Sequence, residues 1–185
     1  MNPALIIIDM QKGFFAKEEL NKQRDNLVQN INDLVNEFRN SKFSIVWIKQ
    51  SMKPDLSDAP LGNKKSGKVE VAEGTMDNEL LDGLNESDYD TFIIKKRYSG
   101  FFKTNLDEVL TQLKPSHLIF CGINTHACVR TTVIDAYMRD YEIVIAKDCV
   151  GSYDQTHHDV SMKYFSPNIA QVKTNKEIKE IIHKL

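Results

Sequence analysis

Short apolar runs, spaced by longer amphipathic stretches, leave this chain few ways to fold. The clearest runs are Ala4 to Ile8 and Leu118 to Cys121, each apolar at every position. A strand with one wet face alternates; a strand covered on both faces does not. Phe43 to Ile48, Thr91 to Lys95, Glu142 to Ala146 and Ile169 to Lys173 read as four further strands. Between them the period changes. Leu27, Val28, Ile31, Leu34, Val35 and Phe38 lie on one face of a helix over Asp25 to Asn40. A second helix is expected over Thr104 to Leu113, with Asp107 three residues after a Thr cap. A third follows Ala127, where Val129, Val133, Ile134, Tyr137 and Met138 recur at helical spacing. A weaker helical stretch covers His157 to Phe165, and Thr174-Asn175-Lys176-Glu177 is a capping-box pattern opening the last helix. Gln11 to Phe15 reads as a loop, and a short helix is expected around Asp77 to Leu81. Strands alternating with helices mean an α/β fold: a six-stranded, mainly parallel sheet with right-handed crossovers and helices on both faces.

Composition narrows the function. The 185 residues suit one domain, residues 1–185. Lys+Arg number 24 against 26 Asp+Glu, so the expected partner is a small molecule, with no nucleic acid and no membrane. No apolar run approaches a membrane span. The opening MNPALIIIDMQKG has no basic stretch before its apolar run and meets an acid at Asp9, so it does not read as a signal peptide. Three cysteines without paired spacing fit a reducing cytoplasm. Residues 51–74 form a long polar loop with Pro54, Pro60, Gly62 and Gly67, of the kind that serves as a lid or binding loop. Its Lys64, Lys65 and Lys68 read as solvated.

In a parallel α/β sheet the ligand lies beyond the carboxyl ends of the strands. Three reactive side chains fall at that edge: Asp9 after strand one, Lys95 at the end of strand three, and Cys128 just after strand four. With Thr125 as N-cap, Cys128 takes the third helical position, where unpaired N–H groups and the helix dipole favour a thiolate. Each has a plainer reading, as a cap, a snorkelling strand end and a small buried hydrophobe respectively. Their convergence on one edge favours chemistry.

The segments Ile6-Ile7-Ile8-Asp9-Met10-Gln11, Lys95-Lys96-Arg97-Tyr98-Ser99-Gly100-Phe101 and Gly122-Ile123-Asn124-Thr125-His126-Ala127-Cys128-Val129-Arg130 resemble those of the isochorismatase-like cysteine hydrolases. That family includes nicotinamidases and N-carbamoyl and ureido amidohydrolases, and the likeness runs nearly the whole length. It implies a three-layer α/β/α sandwich, a catalytic Asp9–Lys95–Cys128 triad, and a homo-oligomer, dimer or tetramer. Lys96 competes for the lysine role; Lys95 is preferred because the family lysine stands two places before the arginine. The resemblance also implies a cis peptide between Ile123 and Asn124, with the backbone N–H groups of Asn124 and Cys128 as an oxyanion hole. It puts Gln50 beside the substrate, and Phe14, Arg97 and Tyr98 are further candidate binding residues. Trp47 is a possible pocket wall that core packing explains equally well. Arg97 suits a substrate carboxylate or a structural ion pair.

Nicotinamidases of this family carry an Asp-x-His metal motif after strand two. Here the sequence reads Lys49-Gln50-Ser51-Met52-Lys53, so no metal and no cofactor are expected. His117, His126, His157, His158 and His183 share no ligand spacing, and only Asp55 and Asp58 in the long loop are a reservation. The implied activity is cysteine-dependent hydrolysis of a carbon–nitrogen bond in a small amide, ureide or carbamoyl amine through a thioester. The alternatives are vinyl-ether hydrolysis, which needs an acid rather than a thiol, and a catalytically silent binding domain.

Overall fold

The structure is a computed structural model in which residues 2–184 are described. Its strands are β1 (Ala4–Ile8), β2 (Ser44–Gln50), β3 (Thr91–Lys95), β4 (Leu118–Ile123), β5 (Ile143–Gly151) and β6 (Gln171–Lys173). They form one sheet of order β3-β2-β1-β4-β5-β6 in which every pairing is parallel. The helices are α1 (Glu18–Asn21), α2 (Arg24–Asn40), α3 (Leu61–Ser66), α4 (Leu106–Leu113), α5 (Arg130–Tyr137), α6 (Gln155–Asn168) and α7 (Asn175–Ile182). No helix among the described residues is long and apolar enough to cross a membrane.

The unbroken apolar runs do what their pattern requires. Along β1, Leu5 and Ile7 pack on one side with Leu27, Ile31 and Leu34 of α2 and Ile178 and Ile182 of α7. Ala4, Ile6 and Ile8 pack on the other with Leu106 and Leu110 of α4, Val133 and Ala136 of α5 and Phe165 of α6. A strand sandwiched between two helical layers must be apolar at every position. Trp47 belongs to the first core, 1% exposed, with its Nε1 donating to Asp90 at 2.9 Å. It is not a pocket wall.

Several boundaries differ from expectation. β2 runs on to Gln50 because Lys49 and Gln50 pair with Ile94 and Lys95. β5 continues past Ala146 to Gly151; a register shift beside β4 accommodates Lys147 and Asp148 before pairing resumes at Val150 and Gly151. β6 starts at Gln171, two residues late, and α4 starts at Leu106. Gln11–Phe15 is largely a 3₁₀ turn, Lys12–Ala16, and the expected helix around Asp77–Leu81 shrinks to the 3₁₀ turn Met76–Asn78. α6 is longer than its pattern, because Asp154 caps it by accepting from the His157 N–H at 2.9 Å. The capping box forms at α7: Thr174 accepts from the Glu177 N–H at 3.2 Å, and Glu177 Oε2 accepts from the Thr174 N–H at 2.7 Å. Thr174→Ala is expected to cost about 1 kcal/mol. The change reads as a lower denaturant midpoint at unchanged slope; an unmoved midpoint would show that the cap carries no stability.

Candidate active site

The sheet delivers its polar side chains at the carboxyl edge. Strand β1 ends at Ile8, and Asp9 follows with φ +55°, a left-handed turn that aspartate tolerates better than most residues. Its N–H bonds Ile48 O and its carbonyl accepts from Gln11 N–H, both at 2.8 Å, so the chain turns sharply there. Lys95 is the last residue of β3, in register with Gln50. Asp9 and Lys95 are 1% and 0% exposed. The Lys95 ammonium lies 2.7 Å from Asp9 Oδ2, 3.2 Å from Gln50 Oε1, 3.2 Å from the Arg97 carbonyl and 3.3 Å from Cys128 Sγ. Three N–H bonds face four acceptors, so at least one is shared. Among the described residues, Asp9 Oδ1 is buried without a hydrogen-bond partner.

Gln50 is itself held by a reciprocal amide contact. Gln11 Nε2 donates to the Gln50 carbonyl and Gln50 N–H to Gln11 Oε1, both at 2.8 Å. Gln11 thereby extends the ladder past the point where β1 has turned away.

Burial dominates the electrostatics. It raises the Asp9 carboxyl above its ordinary 3.8, against the pull of Lys95. For Lys95 burial works against the charge, but Asp9 and Cys128 outweigh it and the pKa stands above 10.5. Burial and the Asp9 charge push the Cys128 thiol well up, more than Lys95 draws it down. Burial beside a carboxylate thus opposes the pull that the helix start exerts toward a thiolate.

The helical start also differs. Asn124, not Thr125, is the N-cap, and the first turn, Thr125–Val129, is π-helical. The Thr125 hydroxyl is committed to tertiary bonds instead, donating to Gly151 O at 2.9 Å and lying 2.9 Å from His158 Nδ1. Cys128 is consequently the fourth helical residue. The Asn124 carbonyl accepts from the N–H groups of Ala127 (2.9 Å) and Val129 (3.3 Å), on either side of Cys128. The Ile123–Asn124 peptide is cis.

Cys128 opens onto a cleft of about 1100 Å³, whose walls include Phe14, Gln50, Arg97, Tyr98, Asn124 and Arg130. All the binding candidates thus share one cavity with the thiol. Asp9 and Lys95 lie buried behind it.

The isochorismatase domain model matches residues 3–177. The chain belongs to the isochorismatase family. Among solved structures of similar proteins, a cysteine hydrolase from Pseudomonas syringae pv. phaseolicola superposes with a TM-score of 0.91 at 25% identity, over 99% of this chain and 93% of that one. N-carbamoylsarcosine amidase from Thermoplasma acidophilum superposes at 0.81 with 28% identity, over 95% and 97%. Ureidoacrylate amidohydrolase RutB of Klebsiella pneumoniae is 29% identical over 170 residues, 78% of this chain and 71% of that protein. The isochorismatase fold accounts for the three-layer arrangement, and the chain is an isochorismatase-family hydrolase.

Within this family member, some polar residues do other work than expected. Arg97 Nη1 donates to the carbonyls of Asp58 (2.8 Å) and Lys96 (2.7 Å), so it clamps the long loop to the strand end. It makes no ion pair with a carboxylate among the described residues. Lys96 pairs with Asp58 at 2.9 Å, whereas Lys95 pairs with Asp9. Asp55 accepts from Ser57 N–H at 2.9 Å, so both loop acids are occupied locally. The long loop forms one cleft wall through Pro60, Gly62, Asn63 and Glu70. Lys17, Phe102, His126, Arg130 and Tyr153 also line the cleft. His126 and Arg130 were in the quoted motif, but nothing in their spacing marked them as wall residues. Tyr153 and Lys17 come from connecting segments with no periodic signal.

Proposed function

We propose that this protein hydrolyses a carbon–nitrogen bond in a small amide, ureide or carbamoyl amine, with Cys128 as nucleophile. The observation that carries the reading is the Lys95 ammonium, which touches both Asp9 and Cys128. Similarity to proteins named as amidohydrolases supports the bond type.

Asp9 accepts the Cys128 proton as Sγ attacks the planar carbonyl carbon. Lys95 stays protonated, orients Asp9 and offsets the charge that gathers on the sulfur and carboxylate. The backbone N–H groups of Asn124 and Cys128 receive the carbonyl oxygen as it becomes an oxyanion. As the carbon–nitrogen bond breaks, Asp9 returns the proton to the leaving amine, and an acyl thioester remains. Asp9 then takes a proton from water, the hydroxide adds to the thioester, and the carbon–sulfur bond breaks. The sulfur recovers the proton from Asp9. Phe14, Gln50, Arg97 and Tyr98 form the surroundings of the substrate.

The test is ammonia release over a panel of small amides, ureas and N-carbamoyl compounds. Release of an amine or ammonia from none of them, with the protein folded, would remove this reading. Turnover is also expected to survive exhaustive chelation. At the end of β2 the cleft offers the Gln50 amide, already engaged by Lys95, a poor donor for a cation. Activity lost to chelator and regained with zinc, iron or manganese would contradict it.

A further inference from the structure

We propose that Nε2 of His126 and Nε2 of His157 form a two-imidazole site for an exchangeable zinc-class cation, bordering the cleft. The site is additional to the hydrolase reading and requires no part of it. His126 belongs to the turn after β4 and lines the cleft; His157 stands in the first turn of α6, after β5. Neither follows β2, where the sequence raised the question of a metal.

What singles out this pair is how each ring is held. A ring nitrogen that faces a carboxylate donates to it, and His157 Nδ1 lies 2.7 Å from Asp154 Oδ2. His126 Nδ1 lies 2.7 Å from Ser152 Oγ, whose own proton goes to the Asp154 carbonyl at 3.0 Å, so the hydroxyl accepts from the ring. Both rings therefore carry a proton on Nδ1 and keep the Nε2 lone pair free. Histidines that ligate metals are held in this way, the far N–H fixed by an oxygen that sets tautomer and orientation. Tyr153 packs edge-on against the His126 ring at 5.1 Å and steadies it further. Among the described residues, the only buried polar side-chain atom without a partner is Asp9 Oδ1, so the unbonded Nε2 of His126 reaches open space. The His157 side chain is 68% exposed.

The spacing fits one ion. Two imidazoles that share a tetrahedral zinc through nitrogens at about 2.0 Å have ring centres about 5 Å apart. The ring centres of His126 and His157 are 5.6 Å apart, with the planes inclined at 41°. Among the described residues, no third His, Cys, Asp or Glu completes the set. The remaining positions fall to water, which makes the ion exchangeable rather than structural. Imidazole donors favour zinc, copper or nickel over magnesium or calcium. Nearby charge is balanced: Asp154 brings a carboxylate, and Lys17, 3.6 Å from the centre of the Tyr153 ring, has Glu70 at 3.8 Å.

The test is a calorimetric titration of zinc into the Cys128→Ala protein, free of chelator and of any added histidine tag. That background removes the cleft thiol as a rival ligand. One ion per chain is expected to bind. Adding His126→Phe or His157→Phe should weaken binding about tenfold or more, with thermal melts to check that each variant is folded. Nitrogen-15 spectra of the histidine rings locate the ion: Nε2 of His126 and of His157 should shift together on adding zinc, with His183 unmoved. No zinc binding, an affinity unchanged in either phenylalanine variant, or shifts confined to other histidines overturns the proposal. Zinc binding is read without turnover. An enzyme that releases no ammonia from any compound would therefore remove the hydrolase reading and leave the metal site standing.

Discussion

Replacing Cys128 with alanine is expected to reduce turnover on the order of 10⁴-fold or more, while the protein stays folded. Where a nucleophile and its base act as one unit, removing the nucleophile removes nearly all their joint effect. The same residue should be the first that iodoacetamide alkylates. Cys121 and Cys149 are 0% exposed inside the core, whereas Cys128 faces the cleft. Burial, with Cys149 beside it, also holds the Cys121 thiol well above its ordinary value. Alkylation of Cys128 is expected to slow in Asp9→Asn, because the resting thiol needs its neighbour to take the proton. Peptide mapping that finds Cys121 or Cys149 labelled first, or an active Cys128→Ala enzyme, would dismantle the proposed mechanism.

Lys95→Met is expected to be as damaging to activity and far more damaging to stability. It strips the counter-charge from a buried carboxylate, and breaking such a pair from one side typically costs about 3–5 kcal/mol. Lys96→Ala should change both only slightly, since its ion pair with Asp58 is partly exposed. Equilibrium denaturation and initial rates on the three proteins make the comparison. A stable, active Lys95→Met with a crippled Lys96→Ala would exchange the two assignments. The pair also sets a direction with pH. The folded-state pKa of Lys95 is raised, so its contribution is complete below the ordinary lysine value of 10.5 and is lost as pH climbs through the raised value. Asp9 acts in the same direction. Its folded pKa is raised above 3.8, so ionising it costs stability as pH rises through the interval above that value.

The parts of the fold that were legible are those in which a local pattern and the tertiary environment ask for the same residues. β1 and β3 were readable to the residue, because the run of Ala4 to Ile8 meets helices on both sides and Thr91 to Lys95 ends where the cleft begins. The sequence pattern ends β5 at Ala146 because Lys147 and Asp148 look like a turn; in the structure they occupy a register shift that the pattern does not encode. Thr125 looked like a cap because its residue type suits one, but the hydroxyl bonds Gly151 across the site. The three reactive residues were visible because each sits at, or shortly after, the carboxyl end of a strand. The cleft walls were largely hidden. Lys17, Phe102 and Tyr153 reach it from irregular segments, and only the folded chain puts them together.

Gly122 sits where β4 passes β1, with φ +108°, and a Cβ there would fall 2.0 Å from the Ile8 carbonyl oxygen. Main chain rests on main chain at the last pair before each strand gives up its reactive residue. The separation between the two banks of the cleft is thus gauged by peptide against peptide, with no side chain as a spacer. Core side chains on either face can be exchanged for others of similar volume, at a cost usually under about 1.5 kcal/mol, without moving that gauge. Drift in the interior and fidelity at the cleft become separate matters. That separation is one physical route by which a chain sharing 25% of its residues with another can follow the same course at a TM-score of 0.91.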